Sequence, residues 1–286
     1  MANPMLNDKV IEESRAGWAA PAPPSPGGQN WPAPRPGTSA PPVSDGPVSP
    51  WQGAMTIGGT INRTIILLGL LLAAAAAGWS ATKEEVGFDP ATGQEVVVAR
   101  FPALATLGIF VGLGAVLVLY FKPMLAKFVG PAYALGFGFA VGAISKGYES
   151  FQSGIVVQAA GATVAVFAVM LALYRTRIIK VTDRFRRIVV FATVGIMVFY
   201  GVSLLISLFG GAVPFINDAT PLGIGLSVVI CIVAAMNLAL DFDFIEKGTR
   251  AGLAKDFEWY AAFGLLVTIV WLYLELLRLL AKLQNR

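Results

Sequence analysis

Apolar positions along the chain gather into seven blocks, near residues 63–80, 103–121, 129–146, 154–174, 187–209, 222–241 and 259–281. As helices these blocks, about 18–23 residues each, reach roughly 27–35 Å, which matches a hydrocarbon core of about 30 Å. The third is the weakest, being rich in glycine and closed by Lys146. The pattern predicts an all-α, polytopic membrane protein with seven transmembrane helices, or six with one re-entrant segment. Ahead of the first block, residues 1–55 form a polar tail with eleven prolines between Pro21 and Pro50. Such a segment cannot bury enough apolar surface to offset its chain entropy, so it reads as a disordered or PPII-like tail joined to a helical domain over 56–286. Trp18, Trp31 and Trp51 could touch a partner or the membrane surface from that tail.

Composition sharpens this picture. Charged residues make up 13% of the chain and hydrophobic ones 56%, with a mean hydropathy of +0.70. A soluble domain carries about 25% charged residues. The formal charge of +4 gives no reason to expect a nucleic acid partner, because the basic residues cluster between spans. The loop 175–187 holds Arg175, Arg177, Lys180, Arg184, Arg186 and Arg187 against Asp183, and Lys122 and Lys127 lie between spans two and three. By contrast, Lys83, Glu84, Glu85, Asp89, Glu95 and Arg100 make 81–102 net acidic, and the loop before span six offers only Asp218. Basic and acidic loops alternate, which places the N-terminal tail in the cytoplasm. Seven spans then put the C-terminus outside, although its basic end (Arg278, Lys282, Arg286) is more at home inside.

The chain has no histidine and a single cysteine, Cys231, in an apolar run. Imidazole metal sites, His-based catalysis and an intramolecular disulfide are thereby excluded. No Walker loop, HExxH, GxSxG or CxxC occurs, so a non-enzymatic protein without a cofactor is expected. Gly108/Gly112 and Gly138/Gly142 are GxxxG spacings that let helix backbones approach closely.

Candidate chemistry concentrates in the last hairpin. The sixth block leads directly into Asp241-Phe242-Asp243-Phe244-Ile245-Glu246, with no helix breaker before Gly248. Asp241 could mark the membrane exit, where wet carboxylates do nothing. If instead the helix continues to Lys247, the aspartates sit one to two turns inside it, among apolar neighbours, where acids can sense protons. Two apart on a helix, they point about 200° from each other, so each needs a partner on another helix. In an antiparallel hairpin the level facing Asp243 lies between about Leu253 and Val267. Asp256 and Glu258 fall inside that window and Thr268 at its edge. Glu275 lies far from it, and its expected role is an i,i+3 pair with Arg278. Asp241, Asp243 and Glu246 form the obvious oxygen cluster for a passing cation such as Ca²⁺, and Lys122 is a plausible salt-bridge partner for an aspartate.

The acid-bearing sixth span, the run Gly-Ala-Ile-Ser-Lys-Gly-Tyr-Glu (142–149) and the closing Leu-Tyr-Leu-Glu-Leu-Leu-Arg-Leu-Leu (272–280) resemble the transmembrane Bax inhibitor motif family in its bacterial YccA-like branch. The opening Met-Ala-Asn-Pro-Met and the run Met-Thr-Ile-Gly-Gly-Thr-Ile-Asn-Arg-Thr (55–64) resemble an actinobacterial-type subgroup. The resemblance implies a Bax-inhibitor-like seven-helix fold in a bacterial inner membrane and a proton-gated calcium leak channel. It further implies a pH sensor of paired aspartates on spans six and seven. Asp241 or Asp243 matches the first, whereas Thr268 stands where the family usually has the second, and Phe137 where it commonly has a glutamate. A rival reading is an interaction protein that restrains a membrane protease or stress-response partner through its tail and basic 175–187 loop. A proton-coupled transporter is disfavoured because polar residues do not break the middle of several spans.

Overall fold

The structure, a computed structural model, describes residues 53–88, 95–209 and 219–285. The tail through residue 52 with its three tryptophans, Asp89 and Asp218 lie outside the described residues. Seven helices follow: α1 (Ile57–Ala81), α2 (Ala103–Phe121), α3 (Ala126–Phe151), α4 (Ile155–Arg175), α5 (Asp183–Leu208), α6 (Pro221–Arg250) and α7 (Phe257–Gln284). Each is long and apolar enough to cross a membrane. The third is one continuous helix of 26 residues, not a re-entrant loop, and Pro131 is accommodated near its start. Outward-facing Phe110, Val157 and Phe191 are well exposed, as side chains that meet lipid should be.

Several helix starts are written locally. Thr56, Thr182 and Thr220 cap α1, α5 and α6, their hydroxyls accepting from the backbone N–H of Gly59, Phe185 and Gly223. Pro221 adds the fixed φ suited to a first helical position.

Glycines draw α1, α2 and α3 together. A Cβ on Gly142 would overlap the Ala75 carbonyl of α1, and one on Gly138 would come within 2.7 Å of the Leu71 carbonyl. On the other side of α3, Gly108 faces the backbone of Gly136 and Gly112 faces the Phe137 ring. Both GxxxG spacings therefore mark backbone contacts. The core is centred on α7, which packs against α6, α1, α4 and α3. Over the most apolar window of α7, 56% of residues are buried, against 12% for α5. The fifth helix is the loosest member of the bundle and packs chiefly against α6.

Two departures from the sequence reading stand out. The acidic loop after α1 contains an antiparallel ribbon, β1 (Lys83–Phe88) and β2 (Glu95–Arg100), in register from Lys83 opposite Arg100 to Phe88 opposite Glu95. It is tied to α3 by an ion pair of Lys146 with Glu84 at 2.5 Å. In addition, residues 53–55 belong to the folded body although the sequence assigned them to the tail. The Met55 N–H donates to the Leu253 carbonyl at 2.6 Å, and the Met55 side chain is buried.

Candidate functional site

The sixth helix does not stop at Asp241. It runs 30 residues to Arg250, because Phe242, Phe244 and Ile245 carry the apolar, buried character past Asp241 and nothing breaks it before the turn at Gly252 (φ +67°). A helix of that length reaches roughly 45 Å, well beyond the hydrocarbon core. Asp241 and Asp243 thus sit inside the bundle near its basic end, 1% and 8% exposed. They are not wet carboxylates on an exit loop.

They face different helices. One oxygen of Asp243, Oδ2, accepts from Arg186 Nη2 at 2.8 Å and meets Lys247 Nζ at 2.9 Å. Lys247 is one turn along the same helix, whereas Arg186 belongs to the first turn of α5. The expected partner Lys122 is not the one found. It is exposed at the C-terminal cap of α2, and the capping of α5 by Thr182 brings Arg186 to Asp243 instead.

Asp241 turns toward α7, where Thr268 lies beside it. The Thr268 hydroxyl donates to its own helix, to the Gly264 carbonyl at 3.2 Å. Neither Asp241 oxygen has a hydrogen-bond donor among the described residues. One turn back along α6, Asn237 donates through Nδ2 to Thr193 Oγ1 at 3.0 Å, while its own Oδ1 is unpartnered. Buried polar atoms are almost always hydrogen-bonded, so this cluster of orphans is exceptional.

Glu246 and Glu258 do not join it. Glu246 accepts from the Tyr174 hydroxyl and pairs with Arg250. Asp241, Asp243 and Glu246 therefore share no partner, and no group of three acidic or cysteine side chains fit to hold a metal occurs among the described residues. Helical phase turns Asp241 away from the other two, while Asp243 and Glu246 share a face but are each claimed by different cations. Glu258 is 1% exposed and belongs to a different junction. It accepts from the N–H and hydroxyl of Thr56, both at 2.9 Å, and pairs with Arg63, so it staples the start of α1 to the start of α7. Asp256 reaches only Lys127, at 3.8 Å on the surface. Phe137 stacks on Tyr133 with ring centroids 5.2 Å apart, filling apolar space between helices.

A polar stripe on α5 was not anticipated. Arg186, Thr193 and Tyr200 recur every seven residues, which keeps them on one side of the helix. Each bonds inward: Arg186 to Asp243, Thr193 to Asn237, and Tyr200 through its hydroxyl to Glu275 at 2.9 Å. Glu275 also takes both expected contacts from Arg278, each at 3.1 Å, and Arg278 lies over the Tyr200 ring. Three polar links thus hold an otherwise loosely packed helix over roughly 21 Å of rise. The seven-residue spacing was visible in the sequence, but nothing there showed which helix it faced.

The family model described as Bax inhibitor 1 like matches residues 3–285. No curated protein matches the chain.

Proposed function

The chain belongs to the Bax inhibitor 1 like family of polytopic membrane proteins, a family linked to ion leak, and from that premise we propose that it is a non-enzymatic, proton-gated cation leak with Ca²⁺ as its principal ion. We assign it to the bacterial YccA-like branch, actinobacterial in type, in the plasma membrane with the tail in the cytoplasm. The carrying observation is the contrast on α6 between Asp241, buried without a donor, and Asp243, locked to Arg186 of the loosely packed α5.

In the closed arrangement, Arg186–Asp243 and Thr193–Asn237 hold α5 over the orphaned oxygens of Asn237 and Asp241. Breaking the Arg186–Asp243 pair removes the latch at the basic end of α5. Arg186 then turns to bulk water, and the basic end of α5 swings away from α6. That exposes Asn237 and loosens the packing around Asp241 one turn further along α6, and their oxygens suit a hard cation in transit better than a resident one. Thr268 replaces a second aspartate, so Asp243 with its cations is the latch, and Asp241 serves the permeant ion.

Vesicles containing the purified protein and a trapped calcium dye test this. Wild type should leak Ca²⁺ at rates that differ between mildly acidic and mildly alkaline buffer. Asp243→Asn, which breaks the latch, should leak faster than wild type in both, and Asp241→Asn should leak slowly in both. Absence of flux from folded protein at either pH overturns the reading. A stable membrane partner recovered through the tail would then favour the interaction protein.

A further inference from the structure

Beside α5, on the basic end, α1, α4, α6 and α7 enclose a cavity of about 1050 Å³. That is at the upper end of the roughly 300–1,000 Å³ typical of ligand pockets. Its lipid-side walls are Ile61 and Ile65 of α1 and Val164 and Leu171 of α4, all exposed. Three of its four threonines are spent internally, and only Thr249 at the inner end keeps a hydroxyl without a partner among the described residues. The hydroxyls of Thr60, Thr64 and Thr163 donate to the carbonyls of Thr56, Thr60 and Ala159 at 3.0, 2.9 and 2.7 Å. Along most of its length the cavity therefore offers methyl and methylene groups rather than hydrogen bonds, which suits a hydrocarbon chain and not a hydrated ion.

Its mouth is different in kind. Arg175, Arg177 and Lys180 line it, exposed, and no carboxylate pairs with them among the described residues. The two carboxylates nearby are already engaged, Asp243 by Arg186 and Lys247, and Glu246 by Tyr174 and Arg250. The three cations are thus uncompensated. They are also held in place by an unusual turn. Arg177 adopts φ +58°, rare for a residue with a side chain, and its N–H donates to the Tyr174 carbonyl at 3.0 Å.

We propose that this cavity is a binding site for one anionic phospholipid, its acyl chain between α1 and α4 and its phosphate on Arg175, Arg177 and Lys180. Guanidinium groups match phosphate oxygens in paired hydrogen bonds. Basic pockets between spans on the cytoplasmic side are where anionic headgroups are taken up, and the anionic leaflet supplies the ligand. Because Glu246 and Asp243 form the inner end of the same cavity, the bound lipid braces α4 and α6 beside the α5 latch.

Native mass spectrometry of the full chain, exchanged between phosphatidylglycerol and chain-matched phosphatidylcholine, tests the proposal. Wild type should retain one phosphatidylglycerol with at least a tenfold preference. The triple variant Arg175→Gln, Arg177→Gln, Lys180→Gln should lose the preference, whereas Lys122→Gln with Lys127→Gln, cations outside the cavity, should keep it. Leu171→Trp, which fills the groove and leaves the charges intact, should lose the retained lipid. Circular dichroism on each variant identifies any that failed to fold, and the groove-filling variant and the charge variant check each other. Equal retention of both lipids by wild type overturns the proposal, as does equal loss in the Lys122/Lys127 control. Displacement of the lipid by inorganic phosphate assigns the site to free phosphate instead, and full retention by Leu171→Trp removes the acyl-chain half.

Discussion

Asp241 and Asp243 are separated by a single residue, yet one has two cations and the other has none among the described residues, only Thr268 beside it. Helical phase turns them about 200° apart, and the neighbours of each face decide the rest. Because Asp243 is bonded to charged groups, Arg186→Gln should loosen the closed state by about 1.5–3 kcal/mol, the range for a hydrogen bond to an ion. The measurement is flux in alkaline buffer, which should rise in Arg186→Gln as it does in Asp243→Asn. An unchanged alkaline flux would remove Arg186 from the latch. Glu258, by contrast, is structural. Glu258→Gln leaves Arg63 facing a neutral group in a buried junction, at a cost of about 3 kcal/mol, the low end for breaking a buried pair because Arg63 retains some exposure. A clear fall in Tm with the pH response intact is expected, and a lost pH response at unchanged Tm would contradict it.

Among the elements, α1, α3 and α5 illustrate two ways of holding a helix in lipid. The first pair is joined by backbone approach at Gly138 and Gly142, the kind of contact small residues permit. Gly142→Ala puts a methyl group onto the Ala75 carbonyl and should destabilise by about 1–3 kcal/mol, the usual scale for overpacking. Gly69→Ala on α1 meets nothing within 4 Å, and the better helix former should stabilise by about 0.5–1 kcal/mol. Opposite signs in the two Tm shifts are the expected result, and equal shifts would mean that α3 is not seated on α1 as described. The fifth helix has few such contacts and relies on its three polar links. Tyr200→Phe removes the outermost link, so it should raise leak at both pH values without abolishing the pH response. A leak raised at only one pH in this variant would place the moving part at the basic end alone.

For the whole molecule, alternating loop charge predicts that the 175–182 turn and the 83–100 ribbon lie on opposite sides of the membrane. Cys231 is the only cysteine and is buried, so single introduced cysteines can be labelled cleanly. An impermeant maleimide added outside intact cells should modify Glu85→Cys and not Thr176→Cys, and the reverse pattern would invert the orientation. Truncation of residues 1–52 should leave flux and its pH response within about twofold, because the described contacts of the body begin at Gly53 and Met55.

Some of this was legible in the chain before any fold was known. Seven crossings follow from apolar length against bilayer thickness, and both GxxxG contacts follow from local spacing. The Glu275–Arg278 pair and the continuation of α6 past Asp241 likewise needed only neighbours within a turn or two. The ribbon was missed, although Asp89-Pro90 and Thr92-Gly93 sit between Val86-Gly87-Phe88 and the run Val96-Val97-Val98. What the sequence could not settle was which cation meets which acid. Arg186 and Asp243 are 57 positions apart, and Thr56 and Glu258 are 202 apart. Those pairings depend on where helix ends arrive once seven spans pack, and many arrangements share the same loop charges. Lys122 satisfied every local criterion and still lost to Arg186, because packing, not proximity along the chain, decides what stands opposite a buried charge.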